Sequence, residues 1–312
     1  YILPLFFSAL GLGTAATFAS SHWMLAWMGL EINTLAIIPI MSMRHHPRAV
    51  EATTKYFLVQ ATAAATMLFA ATTNAWMTGQ WNISSVTHPA PMTMIVLALA
   101  LKVGLAPLHT WLPEVLQGLD LPTGLVLSTW QKLAPFALLL QLPLQDQTAM
   151  VILALTSTLV GGWGGLNQTQ LRKVLAYSSV AHLGWMILVI QFAPSLTFLA
   201  LMMYLVLTSA AFLTLHVSGA TTLNSLAISW AKAPLLASLL PMVLLSLGGL
   251  PPLSGFLPKW MILQELTKQG LPLTATLAAL TALLSLYFYI RLSYSMTLTV
   301  SPAPLAGAAL WR

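Results

Sequence analysis

The sequence predicts an all-α membrane protein of about ten transmembrane helices, with an inverted repeat and two broken helices. Three observations predict this fold class. Hydrophobic residues make up 58% of the 312-residue chain and charged residues only 6%, whereas a soluble domain carries about 25% charged residues. Apolar stretches long enough to cross a bilayer follow one another with short polar turns between them. Two of these stretches are interrupted by similar segments that contain Gly and Pro.

The expected crossings follow the apolar stretches in chain order, because a transmembrane helix needs about 20 apolar residues. We expect them near residues 1–20, 23–42, 55–77, 92–111, 122–142, 149–166, 173–192, 196–217, 235–267 and 272–297. The ninth is long and contains the helix-breaking sequence from Gly248 to Gly255. No linker or low-complexity segment separates the stretches, so we expect a single polytopic membrane domain over residues 1–312.

The two interrupted stretches form an internal repeat, which indicates how the two halves of the chain are related. Residues 104–113 (GLAPLHTWLP) align without gaps on residues 249–258 (GLPPLSGFLP), with six of ten positions identical. The two copies lie on the fourth and ninth predicted helices, and an odd offset of five crossings turns one half upside-down relative to the other. We therefore expect inverted repeats over about residues 1–142 and 149–297. Paired interrupted helices of this kind indicate a transport path.

Four charged side chains lie deep in the predicted helices: Glu31, Lys102, Lys132 and Lys259. Each charge at such a depth costs roughly 2.5–3.5 kcal/mol on insertion scales. Lysine suits proton transfer because burial moves its pKa towards neutrality, whereas arginine stays charged. We therefore predict a proton relay in which Glu31 holds Lys102 protonated and Lys132 receives the proton. The alternative is a set of structural ion pairs.

The next candidates for the proton relay are histidines and two polar residues near one of them. His109 lies in the first broken segment, where it either bridges two lysines through water or bonds a backbone carbonyl that the break leaves free. Tyr177, Ser178 and His182 are weaker relay candidates on the seventh predicted helix. The His45–His46 pair has no further ligands nearby, so we predict no metal site.

Charge and composition exclude several kinds of site and of binding function. The chain has no cysteine, which excludes disulfides, thiolate chemistry and iron–sulfur clusters bound by its residues. The net charge of +6 does not indicate nucleic-acid binding, because the basic residues fall in loops that flank the membrane. One set of alternating loops holds Arg44, Arg48, Lys55, Arg172, Lys173, Lys232 and Arg312, and the other holds essentially Lys268. The positive-inside rule assigns the first set to the cytoplasm or the mitochondrial matrix.

Three long motifs carry a resemblance to a known family. Residues 102–114 (KVGLAPLHTWLPE), 161–179 (GGWGGLNQTQLRKVLAYSS) and 246–260 (SLGGLPPLSGFLPKW) resemble the signatures of the antiporter-like proton-translocating subunits of respiratory complex I. The same family includes subunits of multi-protein sodium/proton antiporters. The resemblance runs along the whole chain.

The resemblance implies an antiporter-like subunit fold, truncated at both ends, in the mitochondrial inner membrane. It implies that Glu31 pairs with Lys102 on the first broken helix, that Lys132 is the central lysine, and that Lys259 belongs to the second broken helix. It also implies that the partners are the lipid bilayer and other membrane subunits of complex I. No cofactor is expected on this chain, and NADH, FMN, iron–sulfur clusters and ubiquinone are expected in the partner subunits.

Two other hypotheses stay open from the residues. A free-standing cation/proton antiporter would be expected to bind sodium through carboxylates, and Glu31 is the one mid-helix carboxylate predicted. A structural membrane subunit would hold its neighbours in place without conducting, and its lysines would be fixed charges.

Overall fold

The prediction of an all-α protein is confirmed. The computed structural model describes residues 2–43, 45–144, 147–231 and 234–297, and these form fourteen α-helices and two short 3₁₀ helices. Within those ranges β structure is limited to two isolated bridges, His22 with Asn82 and Gln170 with Thr222. Of the basic loop residues, Arg44, Lys232 and Arg312 lie outside the described residues.

The chain divides into two compact units, the first over residues 1–147 and the second over residues 148–312. The helices of the first unit are α1 (Ile2–Ala19), α2 (Trp23–Ser42), α3 (Pro47–Thr78), α4 (Pro89–Val103), α5 (Trp111–Gly118), α6 (Leu121–Ser128) and α7 (Trp130–Gln141). Helices α1 and α2 approach closely at Gly13 and Gly29, where an added Cβ on Gly13 would lie 2.9 Å from the Gly29 carbonyl oxygen. Small residues permit this contact, as they do between helices in membranes generally.

The second unit is also helical throughout its described part. Its helices are α8 (Gln147–Gly165), α9 (Leu171–Val189), α10 (Pro194–Ser218), α11 (Leu223–Ala227), α12 (Pro234–Gly248), α13 (Phe256–Lys268) and α14 (Pro272–Thr297). Helix α9 is the most enclosed of them: its residues from Val174 to Ala176 and from Leu183 to Val189 are all buried. The side chains of α9 therefore face the interior of this unit.

Five helices, α2, α3, α8, α10 and α14, are by themselves long and apolar enough to cross a membrane. The two predicted breaks are confirmed, because the fourth predicted crossing is divided into α4 and α5 and the ninth into α12 and α13. A third break, at Thr129 between α6 and α7, lies inside the predicted helix 122–142. Irregular backbone at these points is tolerated in a membrane only where protein or water satisfies it.

Helix α3 begins earlier than the predicted residue 55. It starts at Pro47, where the fixed φ of proline suits the first helical position. The Nδ1 atom of His46 accepts a hydrogen bond from the backbone N–H of Arg48 at 3.2 Å and caps the helix. The first two turns are polar, so they extend the helix beyond its apolar part.

Candidate functional site: buried lysines at three helix breaks

The first break lies between α4 and α5. Gly104 has φ of +89°, a left-handed conformation that glycine adopts without strain, and the Ala106–Pro107 peptide bond is cis. The backbone N–H groups of Gly104 and Leu105 both donate to the Ala100 carbonyl at 2.9 Å. The last carbonyl groups of α4 consequently lose their helical partners.

Neutral side chains cap two of these carbonyl groups. The indole Nε1 of Trp111, the first residue of α5, donates to the Leu101 carbonyl at 3.0 Å. The amide Nε2 of Gln60, on α3, donates to the Lys102 carbonyl at 3.3 Å. Gln60 is buried and polar, and its partner lies 42 residues along the chain. The break is therefore stabilised without any charged group.

Lys102 occupies the last turn of α4, directly before the break that divides the fourth predicted crossing. Its side chain is buried, and its Nζ atom has no hydrogen-bond partner within the described part of the chain. The carboxylate of Glu31, on α2, acts electrostatically on this ammonium group and itself accepts a hydrogen bond from Thr34 Oγ1 at 2.9 Å. The structure thus brings Glu31 and Lys102 into electrostatic range without a direct hydrogen bond.

Lys132 lies beside the third break, in the first turn of α7, and not in the middle of a helix. Thr129 separates α6 from α7, and both its backbone N–H and its Oγ1 donate to the Leu125 carbonyl, at 3.0 and 2.7 Å. The neighbouring Gln131 donates from Nε2 to the Asn33 carbonyl on α2 at 3.3 Å. This bond ties α2 to α7, the helix that carries Lys132. The Lys132 side chain is itself 2% exposed.

His109 lies in the segment that connects α4 and α5, and its side chain is half-buried. It is hydrogen-bonded to the backbone of Pro107, and its own carbonyl accepts from the Leu112 N–H at 3.0 Å. This arrangement corresponds to the structural one of the two predicted alternatives, a histidine bonded to backbone at the break. Its role as a bridge between lysines stays a prediction.

The second predicted break lies between α12 and α13 and repeats the backbone of the first. Gly249 has φ of +81°, and the Pro251–Pro252 peptide bond is cis. Lys259, in the first turn of α13, turns back towards the end of α12. Its Nζ atom donates to the Gly248 carbonyl at 2.8 Å and to the Leu247 carbonyl at 3.4 Å. Here the lysine itself caps the broken helix.

His182, on α9, shares one of these carbonyl groups. Its Nε2 atom lies 3.2 Å from the Leu247 carbonyl and its Nδ1 atom 2.8 Å from the Ser178 carbonyl. A neutral imidazole has one N–H and donates to one acceptor, whereas an imidazolium donates to both. A cavity of about 30 Å³ is lined by His182, Lys259 and Tyr204 among others, which is room for a water molecule.

Sequence reasoning did not single out Gln60, Trp111 or Tyr204. Gln60 and Tyr204 are polar residues inside long apolar helices, and a polar group at such a depth is itself a signal. The ring of buried Tyr204 lies 5.7 Å from that of His182. Trp111 carries no comparable signal, because an indole in a membrane helix is ordinary.

Glu114, which follows the end of the predicted helix 92–111, lies in the first turn of α5. Its carboxylate forms an ion pair with Lys55 at 2.8 Å, and Lys55 also pairs with Glu51 at 2.9 Å. All three side chains are largely exposed. This group ties α5 to α3 at the surface, and exposed pairs of this kind contribute little to stability.

Comparison with known proteins identifies the family. A family model described as NADH:quinone oxidoreductase/Mrp antiporter, transmembrane, matches residues 20–285, and one described as NADH dehydrogenase subunit 2 C-terminus matches residues 286–312. The chain is 71% identical over 312 residues to NADH-ubiquinone oxidoreductase chain 2 of Tetraodon nigroviridis, covering all of this chain and 90% of the relative. It is 69% identical to the protein of that name from Oncorhynchus mykiss, again covering 90% of it.

Comparison with solved structures supports the same family. A chain of respiratory complex I from Thermus thermophilus with bound aureothin superposes with a TM-score of 0.88 at 31% identity, over 99% of this chain and 74% of that one. A chain of the Mrp complex from a Dietzia species shares the fold, with a TM-score of 0.81 at 19% identity, over 91% of this chain and 58% of that one. The chain therefore belongs to the NADH:quinone oxidoreductase/Mrp antiporter family of membrane subunits, and within it to the NADH-ubiquinone oxidoreductase chain 2 proteins.

Proposed function

We propose that this subunit of NADH:ubiquinone oxidoreductase moves protons across the mitochondrial inner membrane through Glu31, Lys102, Lys132 and Lys259. One observation supports the proposal above the others. The ammonium group of Lys102 is buried at a helix break, has no hydrogen-bond partner within the described residues, and interacts with Glu31 at a distance. A purely structural ion pair would be expected to hold its charges in direct contact, because an uncompensated buried charge is costly.

In the first unit, the proposed step depends on the distance between two charges. The Glu31 carboxylate attracts the Lys102 ammonium, and the attraction weakens when the carboxylate moves away or takes up a proton. Lys102 then releases its proton. Because Gln60 and Trp111 cap the end of α4, the helix break does not depend on whether the amine is charged. Lys132 is the proposed acceptor.

In the second unit, the proposed step is an exchange between Lys259 and His182. Both side chains face the Leu247 carbonyl, at 3.4 and 3.2 Å. When Lys259 holds the proton, its ammonium group donates to that carbonyl. When the proton passes to His182, the imidazolium donates to both Leu247 and Ser178. One backbone acceptor thus stabilises either location of the proton.

The redox chemistry belongs, in this proposal, to partner subunits. NADH and ubiquinone appear in the name of the relatives, and the 312 residues contain no cysteine that could bind an iron–sulfur cluster. We place the FMN, the iron–sulfur clusters and the quinone site in other subunits of the complex. Neighbouring membrane subunits and the lipids of the inner membrane are the proposed contacts of this chain.

A structural role is a specific second candidate for one residue. Lys259 donates to two carbonyl groups that the break sets free, and that bonding pattern alone explains a lysine at this position. The proposal requires Lys259 to exchange protons as well, so the two roles must be separated by experiment.

The test uses the assembled complex in sealed vesicles. Glu31→Gln and Lys102→Met are each expected to lower the number of protons moved per NADH oxidised, while the complex assembles in normal amounts. Arg48, an exposed residue in the first turn of α3, provides the control, and Arg48→Gln is expected to leave the ratio of protons to NADH unchanged. An unchanged ratio in both buried-site variants would show that this subunit is structural.

A further inference from the structure

An open groove on the second unit is distinct from the buried lysine sites. It has a volume of about 740 Å³ and is lined by Trp163, Gly164, Leu166, Asn167, Gln168, Tyr177, Leu283, Leu284 and Tyr287. These residues come from the end of α8, the turn that follows it, α9 and α14. The groove is open and runs along α8 and α14, which are long and apolar enough to cross the membrane.

The groove has an apolar wall with large aromatic side chains. Trp163 is 68% exposed, and Tyr287 and Leu283 are 60% and 58% exposed. Its floor is set by Gly164, where an added Cβ would collide with the ring of Tyr177. Trp and Tyr are enriched at the level of the lipid headgroups, so this wall is suited to acyl chains near the interface.

Two basic side chains, Arg291 and Lys173, lie next to lining residues of the groove, one turn from Tyr287 and Tyr177 respectively. Arg291 donates from Nη1 to the carbonyl of Leu166, a lining residue, at 2.6 Å, which fixes its guanidinium group beside the groove and leaves other N–H donors. Lys173, on α9, is half-buried. The lining contains no carboxylate among its residues. The one acidic side chain in the sequence of residues 148–312 is Glu265, which pairs with Lys268 at 3.9 Å.

We propose that this groove is a binding site for an anionic glycerophospholipid. Its acyl chain would lie along Trp163, Leu283 and Tyr287, and its phosphate would lie beside Arg291 and Lys173. Asn167 and Gln168 supply the polar part of the lining, and the Gln168 amide also donates to the Gly164 carbonyl at 3.2 Å. An apolar wall beside two basic side chains matches a lipid with a negative headgroup, and it matches a zwitterionic lipid less well. The site does not depend on the proton-relay proposal.

The experiment uses the intact purified complex and two photoactivatable lipids with identical acyl chains, phosphatidylglycerol and phosphatidylcholine. Mass spectrometry then locates the crosslinks on the peptides that contain residues 163–168 and 283–287. We expect phosphatidylglycerol to label these peptides at least about fivefold more than phosphatidylcholine, since each of the two basic residues contributes roughly this factor. Equal labelling by the two lipids overturns the proposal.

Two variants separate charge from structure. Arg291→Gln is expected to weaken the preference for phosphatidylglycerol about fivefold, with Lys173 remaining, whereas Arg291→Lys is expected to keep it because the positive charge stays. Trp76→Ala, at an 88% exposed aromatic residue outside the groove, is the control and leaves the labelling unchanged. If Arg291→Gln does not assemble, the comparison of the two lipids on the unmodified complex still decides. Crosslinking of the groove to another protein, with no lipid label, shows that a partner covers it and also overturns the proposal.

Discussion

The break between α4 and α5 and the break between α12 and α13 have the same backbone and different caps. Each begins with a left-handed glycine, Gly104 at φ +89° and Gly249 at φ +81°. The repeat alignment makes the carbonyl of Lys102 equivalent to that of Leu247. In the first unit this carbonyl accepts from the neutral amide of Gln60. In the second it faces Lys259 and His182, two groups that can carry charge.

If the proposed relay holds, this difference implies a division of tasks. In the first unit, capping and proton exchange belong to different residues, because Gln60 and Trp111 cap the helix while Lys102 has no hydrogen bond to hold it within the described residues. In the second unit, Lys259 caps the helix, and the proposal gives it proton exchange as well. A change of protonation at Lys259 therefore alters the bonds that stabilise the helix break, whereas a change at Lys102 leaves the break as it was. On this proposal, proton transfer and backbone structure are coupled in the second unit and separate in the first.

The difference between the two helix breaks is tested most strongly by replacing Lys102 and Lys259, each in turn, with methionine. Lys259→Met leaves two buried carbonyl groups with fewer donors, and an unsatisfied buried group costs about 1–3 kcal/mol. We expect Lys259→Met to lower the thermal unfolding temperature of the complex and its proton pumping together. Lys102→Met is expected to lower pumping with a much smaller thermal shift, because it removes no hydrogen bond and because Glu31, which loses its counter-charge, is only half-buried and keeps its bond from Thr34.

The measurement is the unfolding temperature of the purified complex beside its ratio of protons moved to NADH oxidised. Lys259→Arg serves as the matched control, since it keeps donors for the two carbonyls while it cannot release a proton. It is expected to restore stability without restoring pumping. Equal thermal shifts in Lys259→Met and Lys102→Met contradict the division of tasks.

A smaller effect is expected from the cap in the first unit. Gln60→Leu keeps the buried volume similar but leaves one buried carbonyl, that of Lys102, without its donor, whereas Lys259→Met affects two; each such group costs about 1–3 kcal/mol. Because that carbonyl belongs to the residue that carries the amine, pumping should fall moderately along with the unfolding temperature. The exposed residue Gln80 gives the control variant Gln80→Leu, which should change neither. A stable Gln60→Leu complex with normal pumping would show that the cap is dispensable.

The sequence predicted two of the three breaks because their causes are local. Gly104 and Gly249 take up a conformation that other residues avoid, and the prolines that follow cannot donate a helical hydrogen bond. The break at Thr129 has no such local cause. Pro135, the nearest helix breaker, lies inside α7 and does not end it. At Thr129 the side chain competes for the Leu125 carbonyl, an effect that threonine shows only in some surroundings.

The burial of Lys102 and Lys132 was predicted from their depth in apolar sequence, and the structure confirms that both are buried. The groups around them were not predicted. Gln60 reaches the Lys102 carbonyl over 42 residues of sequence and Gln131 reaches the Asn33 carbonyl over 98. Pairings of this kind depend on how the helices pack, and a single sequence contains no direct information on that. The sequence therefore predicts which residues are costly to bury but not what satisfies them.

The smallest effect is expected at His182, and it refines the comparison within the second unit. His182→Gln keeps an amide donor near the Leu247 carbonyl but removes the group that can take up a proton, so stability should change little. Proton pumping should fall less than in Lys259→Met, because water in the adjoining cavity can replace the imidazole in part. His216, an exposed residue in the last turn of α10, gives the control His216→Gln. If His182→Gln lowers stability as much as Lys259→Met and leaves the pumping ratio intact, the histidine is a structural cap, and the exchange must be assigned to Lys259 alone.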